Sequence, residues 1–328
     1  MSTRSNKIHN IDLFTQTANE NFEKHIKTQS KAALTLIDQK VNWDKLISPI
    51  QQKIEALRSD APAGRKRHEL IVIVKCFFLQ TIYGLSDPRL EEEIADRRSF
   101  QIFLGLTSHD SIPDETAICR YRKMFAELGL DKALFKAFNK QLSEQGLIVG
   151  KGTIVDATLK QAQATPASNR DSDAKFTKRR GETTYGYKGH IGVDADTNVI
   201  HSVEFTPANV HDTDKFDDLL TGSERRVLAD KGYANKQRKK SLQEQGINYG
   251  IMDKGYRNTP LTKKQRKRNK LLSAIRNAVE RPFAFMKQVL NYQRCRYYDI
   301  ARNRTQFIFS AVVFNMRRML SLTCGIST

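Results

Sequence analysis

The sequence predicts an α/β protein: a mixed five-stranded sheet with flanking helices, preceded by an all-helical N-terminal region. Three observations support this prediction. Residues 1–145 carry apolar residues at helical spacing, in segments that end at glycine or proline. From residue 152 the pattern changes to short β-branched runs. These runs alternate with helical segments in the order three strands, helix, strand, helix, strand, helix, which is typical of a sheet with helices on its faces.

The N-terminal region, residues 1–145, is predicted to consist of short helical units. The unit "GRKRHELIVIVKCFFLQTIYGLS" has a basic start and ends near Gly84. Short helices that carry Arg98, Arg120, Arg122 and Lys123 resemble a helix-turn-helix arrangement, which reads DNA bases. A helical bundle that only shapes the domain explains the same pattern, so both interpretations stay open.

Residues 146–328 contain the predicted sheet. The first strand lies in "GTIVDATLK", a hairpin follows in "TYGYKGHIGVDADTNVIHSVEFTPA", and the last two strands lie in "RRVLAD" and "INYGIM". Residues 160–184 lack periodicity, which predicts an extended basic loop that is ordered only when something binds. A second basic loop is predicted at 263–270, before a long helix over about 271–290. An apolar helix over 301–320 is expected to pack on the sheet.

Net charge is the strongest global feature. The 328 residues include 55 Lys and Arg against 36 Asp and Glu, which gives a net charge of +19 and a pI near 9.8. Such an excess indicates a polyanionic partner, and nucleic acid is the usual one. A membrane-surface protein would need a basic amphipathic helix instead, and a merely solubilising charge explains the clustering of basic residues less well.

Several classes of protein are disfavoured. The mean hydropathy of −0.56 is typical of a soluble protein, and the apolar run Phe307–Phe314 is too short to span a bilayer. The first 30 residues do not resemble a signal peptide. The four cysteines form no C-x-x-C pair, so neither a zinc site nor a disulfide framework is expected. We therefore expect a cytoplasmic protein that does not bind membranes.

Three carboxylates stand out by their positions. Asp156 interrupts the hydrophobic strand Thr153–Val155, Asp230 ends the strand Val227–Ala229, and Glu280 lies on the helix after the fifth strand. An ionised acid at the end of a buried strand is costly unless something neutralises it. The first and fourth strands would be neighbours, so the side chains of both aspartates could lie at one edge of the sheet. A helix that crosses this edge could supply the glutamate.

Three converging acids repel one another, and a divalent cation is the usual remedy. Oxygen ligands without Cys or His favour Mg²⁺ or Mn²⁺ over zinc. Two such ions, about 4 Å apart, activate water or a 3′-hydroxyl and stabilise the leaving oxygen at a phosphodiester. Each acid alone also has an ordinary explanation: Asp156 and Asp230 can be turn residues, and Glu280 can pair with Arg276. Their order and their placement on matching elements favour the joint interpretation.

Glu280 lies in one of the most basic stretches of the chain. From Asp253 to Arg296 there are 13 Lys and Arg against two acids. Acids that hold metal ions and bases that hold phosphates explain this mixture, whereas a solvated loop is the alternative for the basic run. The predicted DNA contacts lie on the glutamate helix and in the basic loop before it: Arg276, Lys287, Lys263, Lys264, Arg266, Lys267 and Arg268.

The sequence resembles the DDE transposases of bacterial insertion sequences, specifically the insertion-sequence-five group of the wider insertion-sequence-four type superfamily. "IVDATL", "TPANVHDTDKFDDLL" and "VLADKGY" are similar to the first half of the catalytic domain of that group, and "YGLSDPRLEEEIADRRSFQIFLGL" is similar to its helical N-terminal region. "RNAVERPFAFMK" matches its glutamate motif, with Arg276 four residues before Glu280 and Lys287 seven after. The superfamily commonly has a tyrosine three residues before this arginine, where Ser273 stands here.

The resemblance implies a ribonuclease-H-like fold for residues 146–328 and DNA-end binding for residues 1–145. It also implies two Mg²⁺ ions, which Mn²⁺ can replace, held by Asp156, Asp230 and Glu280. The implied activity is metal-dependent phosphodiester cleavage at terminal inverted repeats, followed by strand transfer. The implied partners are double-stranded DNA, as element ends and target, and a second copy of the chain in a homodimer on DNA. Two alternatives remain: a related nuclease that cuts without joining, and a DNA-binding repressor derived from a transposase.

Overall fold

The computed structural model describes residues 29–56, 68–107, 109–168, 170–179, 181–256 and 258–325. Residues 1–28 of the predicted helical region, and the basic start of one unit at Gly64–Arg67, lie outside the described residues. The chain divides into two compact units, Met1–Arg122 and Lys123–Thr328. Residues 123–145 belong to the predicted N-terminal region, but they fall in the second unit.

The first unit is helical, as predicted. Its described helices are α1 (Gln29–Lys40), α2 (Trp43–Ala56), α3 (Leu70–Tyr83), α4 (Asp87–Asp96), α5 (Arg98–Leu104) and α6 (Glu115–Glu127), the last of which continues into the second unit. Trp43 lies in the core, with its ring centroid 5.9 Å from those of both Phe78 and Phe103. The buried Lys75 donates to the Asp38 carboxylate and, at 2.7 Å, to the Phe103 carbonyl oxygen. Aromatic packing and one satisfied buried charge thus hold these helices together.

Six strands form one sheet in the second unit: β1 (Gly152–Gln161), β2 (Lys175–Arg179), β3 (Glu182–Asp194), β4 (Ile200–Pro207), β5 (Arg226–Ala229) and β6 (Asn248–Ile251). β3 pairs antiparallel with β1 and with β4, whereas β5 pairs parallel with β1 and with β6. Five of the strands therefore run in the order β4–β3–β1–β5–β6. Three antiparallel strands followed by two strands parallel to β1 make the ribonuclease-H-like topology, which confirms the predicted fold class.

The sheet has one strand more than the five predicted. β2 lies inside residues 160–184, and the prediction of a loop ordered only on binding is therefore wrong. β2 pairs antiparallel with the first residues of β3, where Phe176 lies opposite Tyr185. The preceding segment is held by Asp171, whose backbone carbonyl and carboxylate accept hydrogen bonds from the hydroxyls of Tyr185 and Tyr187. Cross-strand partners, rather than hydrophobic periodicity, make this segment a strand.

Helices cover the sheet, and those described in the second unit are α7 (Leu130–Glu144), α8 (Lys236–Glu244), α9 (Lys263–Arg276), α10 (Glu280–Ala284) and α11 (Ile300–Cys324). Around α8, a buried cluster joins Leu242 to Phe216 and to Val155 and Val227 of the sheet. α11 packs on β4 and α7, as expected for the last apolar segment. It is long and apolar enough to cross a membrane, but 67% of its most apolar window is buried inside the protein, which is typical of a core helix.

The helix predicted before Glu280 begins earlier than expected. Thr262 and Gln265 form a capping box, in which each side chain accepts a hydrogen bond from the backbone N–H of the other residue. This box starts α9 at Lys263, inside the predicted basic loop 263–270, and the loop prediction is therefore wrong. The T-x-x-Q pattern in the sequence is the signal that predicts this start.

This helix is also not continuous. A 3₁₀ turn over Asn277–Val279 separates α9 from α10, and a π-helical turn over Phe285–Val289 follows α10. Pro282 has no N–H to donate to the carbonyl of Ala278, so a regular α-helical hydrogen bond is missing at this point. The predicted single helix over 271–290 is therefore divided into the end of α9, the 3₁₀ turn, α10 and the π-helical turn.

Replacing Gly189 by alanine should lower the free energy of unfolding by about 1–3 kcal/mol. An added Cβ would lie 2.3 Å from the ring of Phe307 on α11, and β3 cannot shift away because it is paired on both sides at this residue. Chemical denaturation of the full chain measures the change.

The matched control is Gly232→Ala, because a Cβ at that position meets nothing within 4 Å. Adding Phe307→Ala to Gly189→Ala should remove most of the penalty of the glycine substitution. An equal penalty with and without the Phe307 ring would contradict this packing.

Candidate active site

Two aspartates lie side by side where β5 ends: Asp156 in the middle of β1 and Asp230 directly after β5. Val155 of β1 is paired in register with Ala229 of β5, and the residues that follow them are Asp156 and Asp230. Asp230 caps the short 3₁₀ turn after β5, where its carboxylate accepts a hydrogen bond from the Lys231 N–H at 2.6 Å. The structure thus brings the two predicted aspartates to one edge of the sheet.

Asp156 lies in an unfavourable electrostatic environment. Burial raises the pKa of its carboxyl group, and the negative charge of Asp230 raises it further. The Ala157 N–H, which donates to Asp156 Oδ1 at 2.9 Å, and the guanidinium groups of Arg276 and Arg179 oppose this rise. Because the pKa stays raised, the ionised carboxylate is not fully compensated by the positive charge that the protein provides.

Glu280 is linked to this pair through Arg276. The Arg276 guanidinium donates to Asp156 Oδ2 at 2.9 Å, and its other terminal nitrogen lies 3.9 Å from a Glu280 carboxylate oxygen. The side chain of Arg276 is 15% exposed and that of Glu280 is 66% exposed. The ordinary pairing of Glu280 with Arg276 is therefore present, but a long contact to an exposed carboxylate contributes little stability. Arg276 contacts two of the three acids in this structure, and its role toward DNA stays a prediction.

Two side chains that the sequence analysis missed lie beside these acids. Tyr233 is 2% exposed, and its hydroxyl has no hydrogen-bond partner within the described residues. Burial raises the pKa of Tyr233, and the charges of Asp212, Asp156 and Asp230 add to this rise. Tyr233 follows Asp230 by three residues, across one short turn, and this spacing is a sequence signal that could have identified Tyr233. Arg179 of β2 influences the pKa of Asp156 and of Tyr233, and it was missed because β2 was missed.

The donor set at this edge suits a hard divalent cation. It consists of carboxylate oxygens, which Mg²⁺ and Mn²⁺ prefer as ligands. The raised pKa of Asp156 and the unpartnered Tyr233 hydroxyl indicate polar groups that the protein alone does not satisfy. Across the described ranges, no three His, Cys, Asp or Glu side chains already lie close enough together to hold an ion. Glu280 and Arg276 would therefore have to move before all three acids could share one.

The cations predicted to bind DNA differ in their surroundings. Arg268 holds α9 against the sheet, because it donates to the carbonyls of Tyr249 at 2.6 Å and Ile251 at 3.0 Å and to the Asp253 carboxylate at 3.0 Å. It therefore has a structural role, whatever its role toward DNA. Ser273, in the position of the superfamily's tyrosine, is half-buried on α9. The other cations of the basic run and the π-helical turn are exposed: Lys263, Lys264, Arg266, Lys267 and Lys287.

Two family matches cover most of the chain. Residues 149–316 match the family described as "Transposase DDE domain", and residues 20–124 match "Transposase domain (DUF772)". The first match includes the whole sheet and all three acids. Among solved structures, piggyBac transposase in a synaptic complex with hairpin DNA is similar over 88% of this chain and 76% of that chain, with a TM-score of 0.44 and 9% sequence identity.

Proposed function

Since the chain belongs to the family of transposases with a DDE domain, we propose that Asp156, Asp230 and Glu280 are its catalytic acids. The family match covers more than half of the residues, and the chain is therefore a DNA transposase of insertion-sequence type. We further propose that it belongs to the insertion-sequence-five group. The spacing of Arg276, Glu280 and Lys287 in "RNAVERPFAFMK" supports this finer assignment.

One observation carries the proposal for the site. Asp156 and Asp230 come from strands separated by a long stretch of chain, and they follow directly on paired residues of β1 and β5. Repulsion between two such carboxylates is costly, so a purely structural role does not explain why both lie here. Glu280 contacts the same guanidinium as Asp156, which keeps the third acid near the pair. An arrangement that destabilises the isolated protein is typical of a site that binds cations.

DDE domains use divalent metal ions, and we propose that this chain binds two Mg²⁺ ions through Asp156, Asp230 and Glu280. When bound, such ions activate a water or a 3′-hydroxyl and stabilise the leaving oxygen of a phosphodiester. The two aspartates provide fixed oxygen ligands from rigid strands, whereas the exposed Glu280 is free to move toward them. Arg276 would then be released from Asp156, and together with Lys287 it would hold the phosphates on either side of the cleaved bond.

The proposed DNA partner is an element end, joined later to target DNA. The exposed cations of α9 supply positive charge beside Glu280. We assign the N-terminal residues 1–145 to recognition of the terminal inverted repeats, and we propose a homodimer on DNA because two ends have to be joined. The cytoplasm, where the reduced cysteines would persist and DNA is accessible, is the proposed location.

A cleavage assay on DNA carrying the ends of the encoding element tests this function. With Mg²⁺ or Mn²⁺, the protein should cut at the ends and join them to a supercoiled target, and EDTA should abolish both products. Gel analysis resolves cut and joined DNA separately.

The products separate the alternatives. Cutting without joined product would show a related nuclease. Sequence-specific binding to the ends without any cutting, at every divalent metal concentration, would instead support a repressor derived from a transposase.

A further inference from the structure

The hairpin formed by β2 and the start of β3, residues 175–186, carries an exposed aromatic side chain. Phe176 is 55% exposed, and it is the one phenylalanine in the described part of the chain that is exposed rather than buried or half-buried. Exposing a ring of this size forgoes the stabilisation that burial gives. The basic loop predicted here explains the charge of this segment but not the exposed ring.

The Phe176 ring is held in place by its neighbours. It packs on the ring of Tyr185 across the hairpin, with centroids 4.9 Å apart and planes tilted by 49°. The Tyr185 hydroxyl donates to the Asp171 carbonyl oxygen at 2.6 Å, and this hydrogen bond holds the Tyr185 ring in place. One side of Phe176 is therefore supported, and the exposed remainder is available to a flat partner without a large loss of conformational freedom.

The hairpin is strongly basic. Residues 175–186 contain four Lys and Arg and one Glu. Lys178 is exposed two residues after Phe176, and alternate residues of a strand point to the same face, so the charge and the ring share one face. Other large exposed apolar side chains are absent from the described residues of this hairpin, which argues against an apolar protein-docking patch.

The hairpin also reaches the proposed catalytic acids. Arg179, near its tip, lies close enough to Asp156 and to Tyr233 to lower the pKa of both groups. A strand of DNA bound along the hairpin would therefore run toward the edge of the sheet where Asp156 and Asp230 lie.

We propose that this hairpin binds an unpaired strand of DNA next to the cleavage site, with one base stacked on Phe176 and a backbone phosphate on Lys178. This inference rests on the proposed function and specifies the form of DNA that the site accepts. A base offers its flat face to a side chain only when it is unpaired or lies at a duplex end, and rings combined with cations are the usual means of holding such a strand. Intact duplex, whose bases are stacked on one another, would gain only the contacts to phosphate.

Equilibrium binding of the full chain to labelled DNA tests the proposal, in EDTA so that no cleavage occurs. The probes are oligo(dT) of about 15 nucleotides, which is near the upper site size of single-strand binding folds, and a blunt duplex of equal length. Phe176→Leu should weaken binding to oligo(dT) at least about fivefold, because stacking of one base is lost, and should change binding to the duplex less than about twofold. Phe176→Trp should retain the affinity of the parent for both.

Two controls separate stacking from damage to the hairpin. Thr184→Ser alters a side chain on the other face of the hairpin, opposite Thr177, and should leave both affinities unchanged. Phe176→Leu keeps an apolar side chain, so unchanged binding to oligo(dT) would overturn the proposal. Equal losses for single strand and duplex, or a loss of self-association without DNA, would also overturn it, the latter in favour of a protein interface. The cleavage assay on the parent protein remains a separate measurement: a parent that cuts DNA while Phe176→Leu binds oligo(dT) normally refutes only this inference.

Discussion

Replacing Asp156 or Asp230 by asparagine, or Glu280 by glutamine, is expected to lower the rate of DNA cleavage by about a thousandfold or more, while DNA binding survives. Each substitution removes a negative charge and a metal ligand but keeps the shape of the side chain. Loss of bound metal forfeits several kcal/mol of transition-state stabilisation, and each 1.36 kcal/mol is a factor of ten in rate. Single-turnover cleavage at saturating enzyme measures the effect.

The stability of the folded protein gives a second test of the role assigned to Asp156. Burial and the charge of Asp230 raise the pKa of Asp156, so its ionised form is disfavoured in the folded protein. Asp156→Asn should therefore be no less stable than the parent in the absence of metal, since the neutral amide avoids part of that penalty. Glu244→Gln serves as the control, because Glu244 lies exposed on α8 in a long ion pair of 3.7 Å with Lys240. Normal cleavage by any of the three acid variants would refute the assignment of that residue.

Replacing Arg276 by glutamine is expected to tighten metal binding and yet reduce cleavage. The Arg276 guanidinium contacts Asp156 at 2.9 Å and Glu280 at 3.9 Å, where a bound cation would compete with it. Removing this charge should improve the apparent affinity for Mg²⁺ by at least about tenfold, since two like charges near one carboxylate repel each other. Cleavage should fall by about tenfold or more, because a charge-assisted hydrogen bond to phosphate is lost.

Thermal unfolding at increasing Mg²⁺ concentration, without DNA, reports the metal affinity directly. The rise in melting temperature should begin at lower metal concentration in Arg276→Gln than in the parent. Lys287→Gln, which removes an exposed cation from the neighbouring π-helical turn, is the matched control and should shift the metal response far less. Adding Asp156→Asn to Arg276→Gln should remove the response. An identical metal response in Arg276→Gln and the parent would show that Arg276 does not compete with the ion.

Local patterns in the sequence determined much of the fold. β-branched runs predicted β1, β3, β4, β5 and β6, because a strand that is buried in a sheet needs such residues in any tertiary context. An aspartate directly after a buried hydrophobic run is equally local, which is why Asp156 and Asp230 could be singled out before their contacts were known. The capping box at Thr262 was present in the sequence as well, but the dense positive charge that follows it suggested a loop instead.

Only the tertiary structure decided which side chains meet. Arg276 contacts Asp156 although 120 residues of chain separate them, and the local pattern of neither segment predicts this contact. The same holds for β2, whose polar sequence becomes a strand because β3 supplies its hydrogen-bond partners. Arg268 has a structural role because Tyr249 and Ile251 of β6 present carbonyl oxygens to it. A local sequence pattern indicates whether its own segment forms a helix, a strand or a turn. Ion pairs and strand partners depend instead on how distant segments pack together.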